Sequence, residues 1–278
     1  MNPPRDSIAR QGGAQPAEAT THKNAIRGHA DIVADPETFA PHLANWFADL
    51  VNAASGPVRV ALCGGATPRE LYVLLGSQEY RRRLAWDRVH LFWGDERFVP
   101  HDDPQSNYRM VRETLLAHAP IPADQIHPMP VDGDPDDAAH AYQATLQNAY
   151  GAALLNPERP LFDVNFLGLG ADGHTASLFP GEPVLREYAR WVAPVHHGRT
   201  DVRLTLTFPV LESSRITAFV VTGAKKADAV RRVRAGDAKM PAGTLSPVGD
   251  VIWFLDSAAA QCADPRLSGE VISERSQP

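Results

Sequence analysis

Short apolar runs rich in β-branched and aromatic residues recur along the chain, with helical patterns between most of them. Val58–Leu62, Val89–Trp93, Phe162–Leu167, Ile216–Thr222 and Val251–Leu255 have the length and side chains of strands. Val202–Thr207 alternates and reads as one more. Thr38–Ala53 places Phe39, Leu43, Trp46, Phe47, Leu50 and Val51 at the i, i+3, i+4 spacing of an amphipathic helix. Pro68–Leu75, Ser106–His118, Asp136–Tyr150 and Lys225–Arg234 read as further helices; Asp134-Pro135 opens the third of these, with acids in its first turn. Strands that alternate with helices predict right-handed βαβ units. The expected fold is therefore three-layer α/β, a largely parallel sheet with helices on both faces.

No low-complexity linker or internal repeat divides the chain. Residues 29–262 are expected to form a single α/β domain, with flexible tails at 1–28 and 263–278. A chain of 278 residues can bury a large core without covalent staples. Its two cysteines, Cys63 and Cys262, cannot build a disulfide framework or a cysteine-based zinc site. No run approaches the ~18 apolar residues of a membrane span. A net charge of −6 argues against a generic nucleic-acid partner. It leaves anionic small molecules open, because a site can be positive on an acidic protein. Met1–Lys23 is polar and carries two arginines and two acids, unlike a secretory or transit peptide, so a cytoplasmic location is expected.

Ligands of open parallel sheets sit beyond the carboxyl ends of the strands, and the chemistry-bearing motifs fall at such ends. After Leu62 comes Cys63-Gly64-Gly65-Ala66-Thr67-Pro68. Two glycines before a helix suit a phosphate cradle, with Thr67 adding a hydroxyl. The same residues also suit an ordinary tight turn with Thr67 as N-cap. Cys63 reads as a packed residue rather than a nucleophile. After Trp93 comes Gly94-Asp95-Glu96-Arg97-Phe98-Val99-Pro100, then Ser106-Asn107. Arg97 could fork onto a phosphate or carboxylate, held by Asp95 or Glu96, or could belong to a solvated ion pair. Asn107 could simply begin the following helix.

After Leu167 comes Gly168-Leu169-Gly170-Ala171-Asp172-Gly173-His174, the strongest local signal in the chain. A carboxylate two residues before a histidine can fix the tautomer of a general base, and the neighbouring glycines would let a substrate approach the backbone. A locally bonded loop histidine is the plainer alternative. Arg203 and Lys226 are either anion-facing cations or solvated charges. Lys226 sits where a helix dipole disfavours a cation, which suits service to a bound anion. His101-Asp102-Asp103 and His196-His197 lack a third partner at metal-ligand spacing, so no metal is expected. The serine-hydrolase elbow Gly-x-Ser-x-Gly is absent.

Taken in order, these motifs resemble the 6-phosphogluconolactonase family, whose fold is of the glucosamine-6-phosphate deaminase/ribose-5-phosphate isomerase-like type. The resemblance rests on Gly64-Gly65-Ala66-Thr67-Pro68, Trp93–Pro100, Ser106-Asn107 and Gly168–Gly181. Arg203–Thr207, Gly223–Ala227, Pro241-Ala242 and Asp256–Ala260 extend it over roughly residues 30–262. It implies hydrolysis of 6-phospho-D-glucono-1,5-lactone, with a small sugar phosphate lactone as partner and no cofactor; the oligomeric state is left open, a monomer being favoured. It also implies His174 as the base beside Asp172, with Glu96 the other acid that could serve as its partner. Gly64, Gly65, Thr67, Arg97, Asn107, Arg203 and Lys226 would surround the phosphorylated ligand. Three features depart from the pattern: Cys63 and Ala66 stand where the family often carries serine, and Thr200-Asp201-Val202 replaces a common lysine or proline. A glucosamine-6-phosphate deaminase is the nearest alternative, but Thr175–Pro180 lacks the Asn-Glu pair that follows the histidine there. A non-catalytic sugar-phosphate sensor is the other alternative. Such proteins carry a DNA-binding segment, for which the stretch before Ala30 is too short and polar.

Overall fold

The computed structural model describes Ile26, residues 28–196 and residues 201–261. Of the expected tails, 1–28 and 263–278, all but Ile26 and Gly28 lie outside the described residues, as do His197, Thr200 and Cys262. The strands are β1 (His29–Val33), β2 (Val58–Leu62), β3 (Val89–Trp93), β4 (Asp95–Arg97), β5 (Ile126–His127), β6 (Phe162–Leu167), β7 (Val192–Val195), β8 (Arg203–Leu206), β9 (Ser214–Val221) and β10 (Asp250–Asp256). The α-helices are α1 (Pro36–Ala53), α2 (Ala66–Leu75), α3 (Gln78–Arg83), α4 (Asn107–Val111), α5 (Pro135–Tyr150), α6 (Phe208–Leu211), α7 (Ala227–Arg234) and α8 (Ser257–Ala260).

Seven strands form one wholly parallel sheet in the order β1-β10-β9-β6-β2-β3-β5. From β2 the chain winds outward to β3 and β5. From β6 it winds the other way, through β9 to β10. The direction reverses between β2 and β6, which places a crevice between the loops that follow these two strands.

The two faces follow from the alternation of side chains along a strand. Trp46 and Phe47 of α1 pack on Phe166, and Trp46 also packs on Phe254, so α1 covers one face. Trp253, adjacent to Phe254, points the other way. It stacks on Phe219 at 4.0 Å between centroids, and Arg234 of α7 lies over it. Local chemistry sets the helix starts. Asp35 caps α1 by accepting from Glu37 N, and Asp134 caps α5 by accepting from Asp136 N and Asp137 N, with proline in the first turn of each.

The structure differs from the sequence reading at the periphery. Val202–Thr207 forms β8, but not in the main sheet. It pairs antiparallel with β4 and β7 in a separate three-stranded sheet. The edge strands β1 and β5 escaped the pattern because one is broken by polar residues and the other has two residues. The segment read as a helix from Ser106 is α4 followed by a π-helical turn over Arg112–Leu116. The helix read from Lys225 starts at Ala227, with Lys226 as its cap.

One polar row interrupts the sheet edge. His90 and His127 stack with planes 5° apart, and His127 also stacks on Phe92. Among the described residues His127 Nε2 is buried without a hydrogen-bond partner. Burial holds both imidazoles below the usual 6.5, helped at His90 by the Arg59 charge and at His127 by His90. The unfolded chain therefore binds more protons on acidification. The stability these groups contribute is complete above about pH 6.5 and is lost as pH falls through their lower folded values. In His127→Phe, which extends the Phe92 stack, thermal unfolding is expected to depend less on pH between 7 and 5 than in the wild type. Equal dependence in both proteins would remove His127 as a source.

Candidate active site

The loops after β2, β3, β6 and β9 meet over the switch point and line a cleft of about 490 Å³. Gly64, Gly65, Thr67, Arg97, Asn107, His174, Arg203 and Lys226 all line it. Asp172 stands behind His174. The residues selected from sequence are thus gathered in one place, although they come from separate loops and from both sheets.

The β2 loop leads directly into α2. Gly65 is the N-cap with φ +113°, a conformation that suits glycine, and no side chain caps the helix. Thr67 does not act as the N-cap. Its hydroxyl lies 2.7 Å from that of Thr222, tying the β2 loop to the β9 loop. Gly64 is required by packing, since a Cβ there would lie 2.1 Å from Asn107 Oδ1. Cys63 is buried, and this pushes its thiol up to about 12, with the Asp95 charge adding to the shift. A thiol so poor in thiolate is no nucleophile at neutral pH.

The β3 loop becomes β4 and is organised by Glu96. Its carboxylate is fully buried and accepts from the backbone N–H groups of Arg97, Asn107 and Tyr108 at 2.7–2.8 Å, and from the Ser106 hydroxyl at 3.1 Å. Burial raises its pKa, against the pull of these amides. Glu96 therefore caps α4 and pins the turn between β4 and α4. It neither holds the Arg97 guanidinium nor meets His174. The expected carboxylate clamp on Arg97 does not form. The guanidinium donates instead to Gln105 O at 2.6 Å and to Asn107 Oδ1 at 3.2 Å, and its Nε is buried without a hydrogen-bond partner among the described residues. Asn107 does begin α4, and its amide also donates to Asp95 O.

Asp95 was read only as a possible partner of Arg97, and Ser177 and Thr222 were not selected from sequence. Asp95 lines the cleft and is nearly buried; its Oδ2 accepts from Ser177 Oγ at 2.6 Å. Ser177 lies three residues beyond His174 and 82 residues from Asp95, so no local signal joins them.

The β6 loop carries His174 on a tight glycine turn. Gly170 N donates to His174 O, Gly173 N donates to Gly170 O, and Gly173 has φ +81°. His174 Nδ1 and Asp172 Oδ1 are 2.6 Å apart. Desolvation alone would raise the Asp172 carboxyl, but the hydrogen bond and charge of His174 outweigh it and hold the carboxyl below its usual value. Asp172 accordingly stays ionised and accepts a hydrogen bond from Nδ1–H, which leaves the Nε2 lone pair for chemistry. Gly170 is glycine because the pair lies against its α-carbon: a Cβ there would sit 2.0 Å from His174 Nδ1 and 2.4 Å from Asp172 Oδ1. Its missing side chain makes room for the His174–Asp172 pair, and Gly170 also lines the cleft. Ala176, two residues past the histidine, holds φ +47°, a strained conformation for a residue with a side chain.

Phe179 supports two of these groups together. Its ring lies 4.5 Å from the His174 ring, and the Arg203 guanidinium sits 5.4 Å above its centroid.

A doubly wound parallel sheet with a polar cleft at its switch point, built on a His–Asp pair among cations, defines an enzyme of the glucosamine-6-phosphate deaminase-like α/β class. The sequence model of the family described as glucosamine-6-phosphate isomerases/6-phosphogluconolactonase matches residues 34–253, and the chain belongs to that family. Its curated relatives include the 6-phosphogluconolactonase of Synechocystis sp., 40% identical over 217 residues, which are 77% of this chain and 88% of that protein. The 6-phosphogluconolactonase of Mycobacterium tuberculosis is also 40% identical over 217 residues, 75% of this chain and 86% of the relative. Among solved structures, the 6-phosphogluconolactonase of Trypanosoma brucei superposes with a TM-score of 0.75 at 28% identity, over 85% of this chain and 99% of its own. A monomeric glucosamine-6-phosphate deaminase superposes with a TM-score of 0.70 at 20% identity over 84% of this chain and 99% of its own, a likeness of fold alone.

Proposed function

We propose that the chain hydrolyses 6-phospho-D-glucono-1,5-lactone to 6-phospho-D-gluconate, the second step of the oxidative pentose phosphate pathway. The observation that carries this reading is the His174–Asp172 pair in a cleft that also presents Arg97, Arg203 and Lys226. Three cations suit a phosphate ester, and an ionised carboxylate behind a neutral imidazole suits activation of water.

His174 Nε2 takes a proton from water as the oxygen attacks the lactone carbonyl at C1. The tetrahedral oxyanion is stabilised by loop amides or a cation of the cleft. Collapse breaks the bond from C1 to the ring oxygen, and the imidazolium returns its proton to that leaving oxygen. Water is consumed and no covalent intermediate forms. The remote phosphate, held by the cations, anchors the carbonyl against the base. Hydrolysis of an ester by water needs no redox or group-carrying cofactor. The carboxyl-terminal side of His174 supplies Thr175, Ala176 and Ser177 rather than the acid of a deaminase, and Ser177 is spent on Asp95. We read residues 29–262 as one catalytic domain acting as a cytoplasmic monomer. Among the described residues no helix is long and apolar enough to cross a membrane.

The test is loss of lactone generated in situ from glucose-6-phosphate, followed above the spontaneous rate with purified protein. A large acceleration is expected. Its absence, with sugar phosphate still bound, would turn the reading to a sensor or an amino-sugar-phosphate isomerase. Phe179 gives a finer check. Phe179→Leu keeps bulk but removes the ring face that holds His174 and Arg203. It should lower kcat and raise KM together, with little change in melting temperature. Phe179→Tyr should retain most of both. A leucine variant with wild-type constants would show that the ring positions neither group.

A further inference from the structure

A second polar cavity lies away from the catalytic loops, under α5 and against the edge of the sheet. It measures about 340 Å³ and is lined by Arg59, His90, Asp124, His127, Thr145 and Asn148, with Pro57 and Ala149. Arg59 and His90 are register partners, each the second residue of its strand, and His127 is paired with Phe92, two residues on from His90. Their side chains therefore share one face of the sheet. They lie three residues before the strand ends at Leu62 and Trp93, where the catalytic loops begin.

Several polar groups here lack the partners that a merely structural cluster would have. The Arg59 guanidinium makes no hydrogen bond or ion pair with any described residue; only its backbone N–H is engaged, donating to Asp163 Oδ2. Asp163 itself accepts from Arg215 Nε. His127 Nε2 is buried and unpartnered, and the His90 ring is stacked parallel to that of His127. Buried polar atoms are nearly always satisfied, so the orphaned His127 nitrogen marks a place for a partner, and the half-buried Arg59 guanidinium in the same groove supplies a charge there.

We propose that this groove binds a small oxyanion, a carboxylate or phosphate group, between the Arg59 guanidinium and the imidazoles of His90 and His127. Arg59 supplies the charge and a planar fork of donors. Each imidazole supplies an N–H in its neutral form and a second charge when protonated. Thr145 and Asn148 of α5 line the opposite wall and carry no charge. Asp124, exposed on the 3₁₀ turn Ala123–Gln125 before β5, is the acid that faces the imidazoles, and it favours their protonation. An anion that draws protons onto the two rings binds more tightly as pH falls, because binding and protonation are linked.

The test follows the imidazole carbon-bound proton resonances of His90 and His127 by NMR in the full chain. Inorganic phosphate and malonate are titrated separately at pH 6 and pH 8. The His174 resonance reports the catalytic cleft in the same spectra, so the two sites are read independently. Saturable shifts at His90 and His127 are expected with at least one probe, tighter at pH 6. Arg59→Gln is expected to weaken them about tenfold, the loss of one hydrogen bond to a charged group, while the response at His174 and the lactonase rate stay as in the wild type. Response to malonate alone would identify a carboxylate site, and response to phosphate alone a phosphate site. Shifts that never saturate, that are absent with both probes, or that persist unchanged in Arg59→Gln would overturn the proposal.

Discussion

His174→Ala is expected to lose lactone hydrolysis by about 10²–10⁴-fold, the range of a positioned general base. That is roughly 3–5 kcal/mol of barrier. The loss should appear in kcat rather than KM, because the cations proposed to hold the phosphate are untouched. Stability should change little. The His174 side chain is 33% exposed, its carboxylate partner is 49% exposed, and among the described residues the ring packed on the imidazole is that of Phe179. Burst-free steady-state kinetics on the purified variant, with circular dichroism to check the fold, decide the matter. Near-normal turnover would remove His174 as the base. Asp172→Asn tests the same arrangement from behind. The amide can still meet Nδ1, but it no longer favours Nδ1–H or stabilises the imidazolium, so kcat should fall while the phosphate is still bound.

The second large effect concerns stability as well as activity. Glu96→Ala removes the acceptor for three backbone N–H groups and a buried hydroxyl. A buried donor left unsatisfied costs about 1–3 kcal/mol. Even with partial relaxation, the variant should lose at least about 3 kcal/mol. For a chain of this size that lowers the melting temperature by about 10 °C. Activity should fall as well, because the same carboxylate fixes the turn that presents Arg97 and Asn107 to the cleft. The pH dependence has its own sign. Burial raises the folded pKa of Glu96, so ionising it costs stability as pH rises through that value, and Glu96 is not a source of acid denaturation. Thermal melts from pH 4 to pH 8 compare the two proteins. A variant that melts with the wild type would show that water or a moved side chain replaces the carboxylate.

Much of the site was legible because its chemistry is local. Asp172 and His174 are two residues apart, and the glycines around them carry the turn in their own composition. The Gly64-Gly65 turn and the charged run after Trp93 each follow directly from an apolar strand. What stayed hidden depends on long-range contacts. Glu96 and Asp95 look alike in sequence, as acids beside an arginine. Only the fold sends Glu96 under α4 and Asp95 toward Ser177 and the cleft. The packing role of Gly170 stayed hidden for the same reason: a glycine shows that space is needed, but not which atoms fill it. Phe179 resembles any core aromatic until His174 and Arg203 are found on its ring.

The sequence alone determined the alternation of strands and helices, hence the parallel sheet, and the loops where chemistry collects. Hydrophobic period and turn composition are properties of neighbouring residues, and they survive without tertiary information. The structure decided the order of the strands and therefore the switch point between β2 and β6. It also decided that β8 leaves the main sheet to bring Arg203 to the cleft, and which acid serves the histidine. Those outcomes depend on pairings as distant in sequence as His29 with Ile252 and Asp95 with Thr205. Their energies come from burial and hydrogen bonding that exist only once the chain has closed on itself.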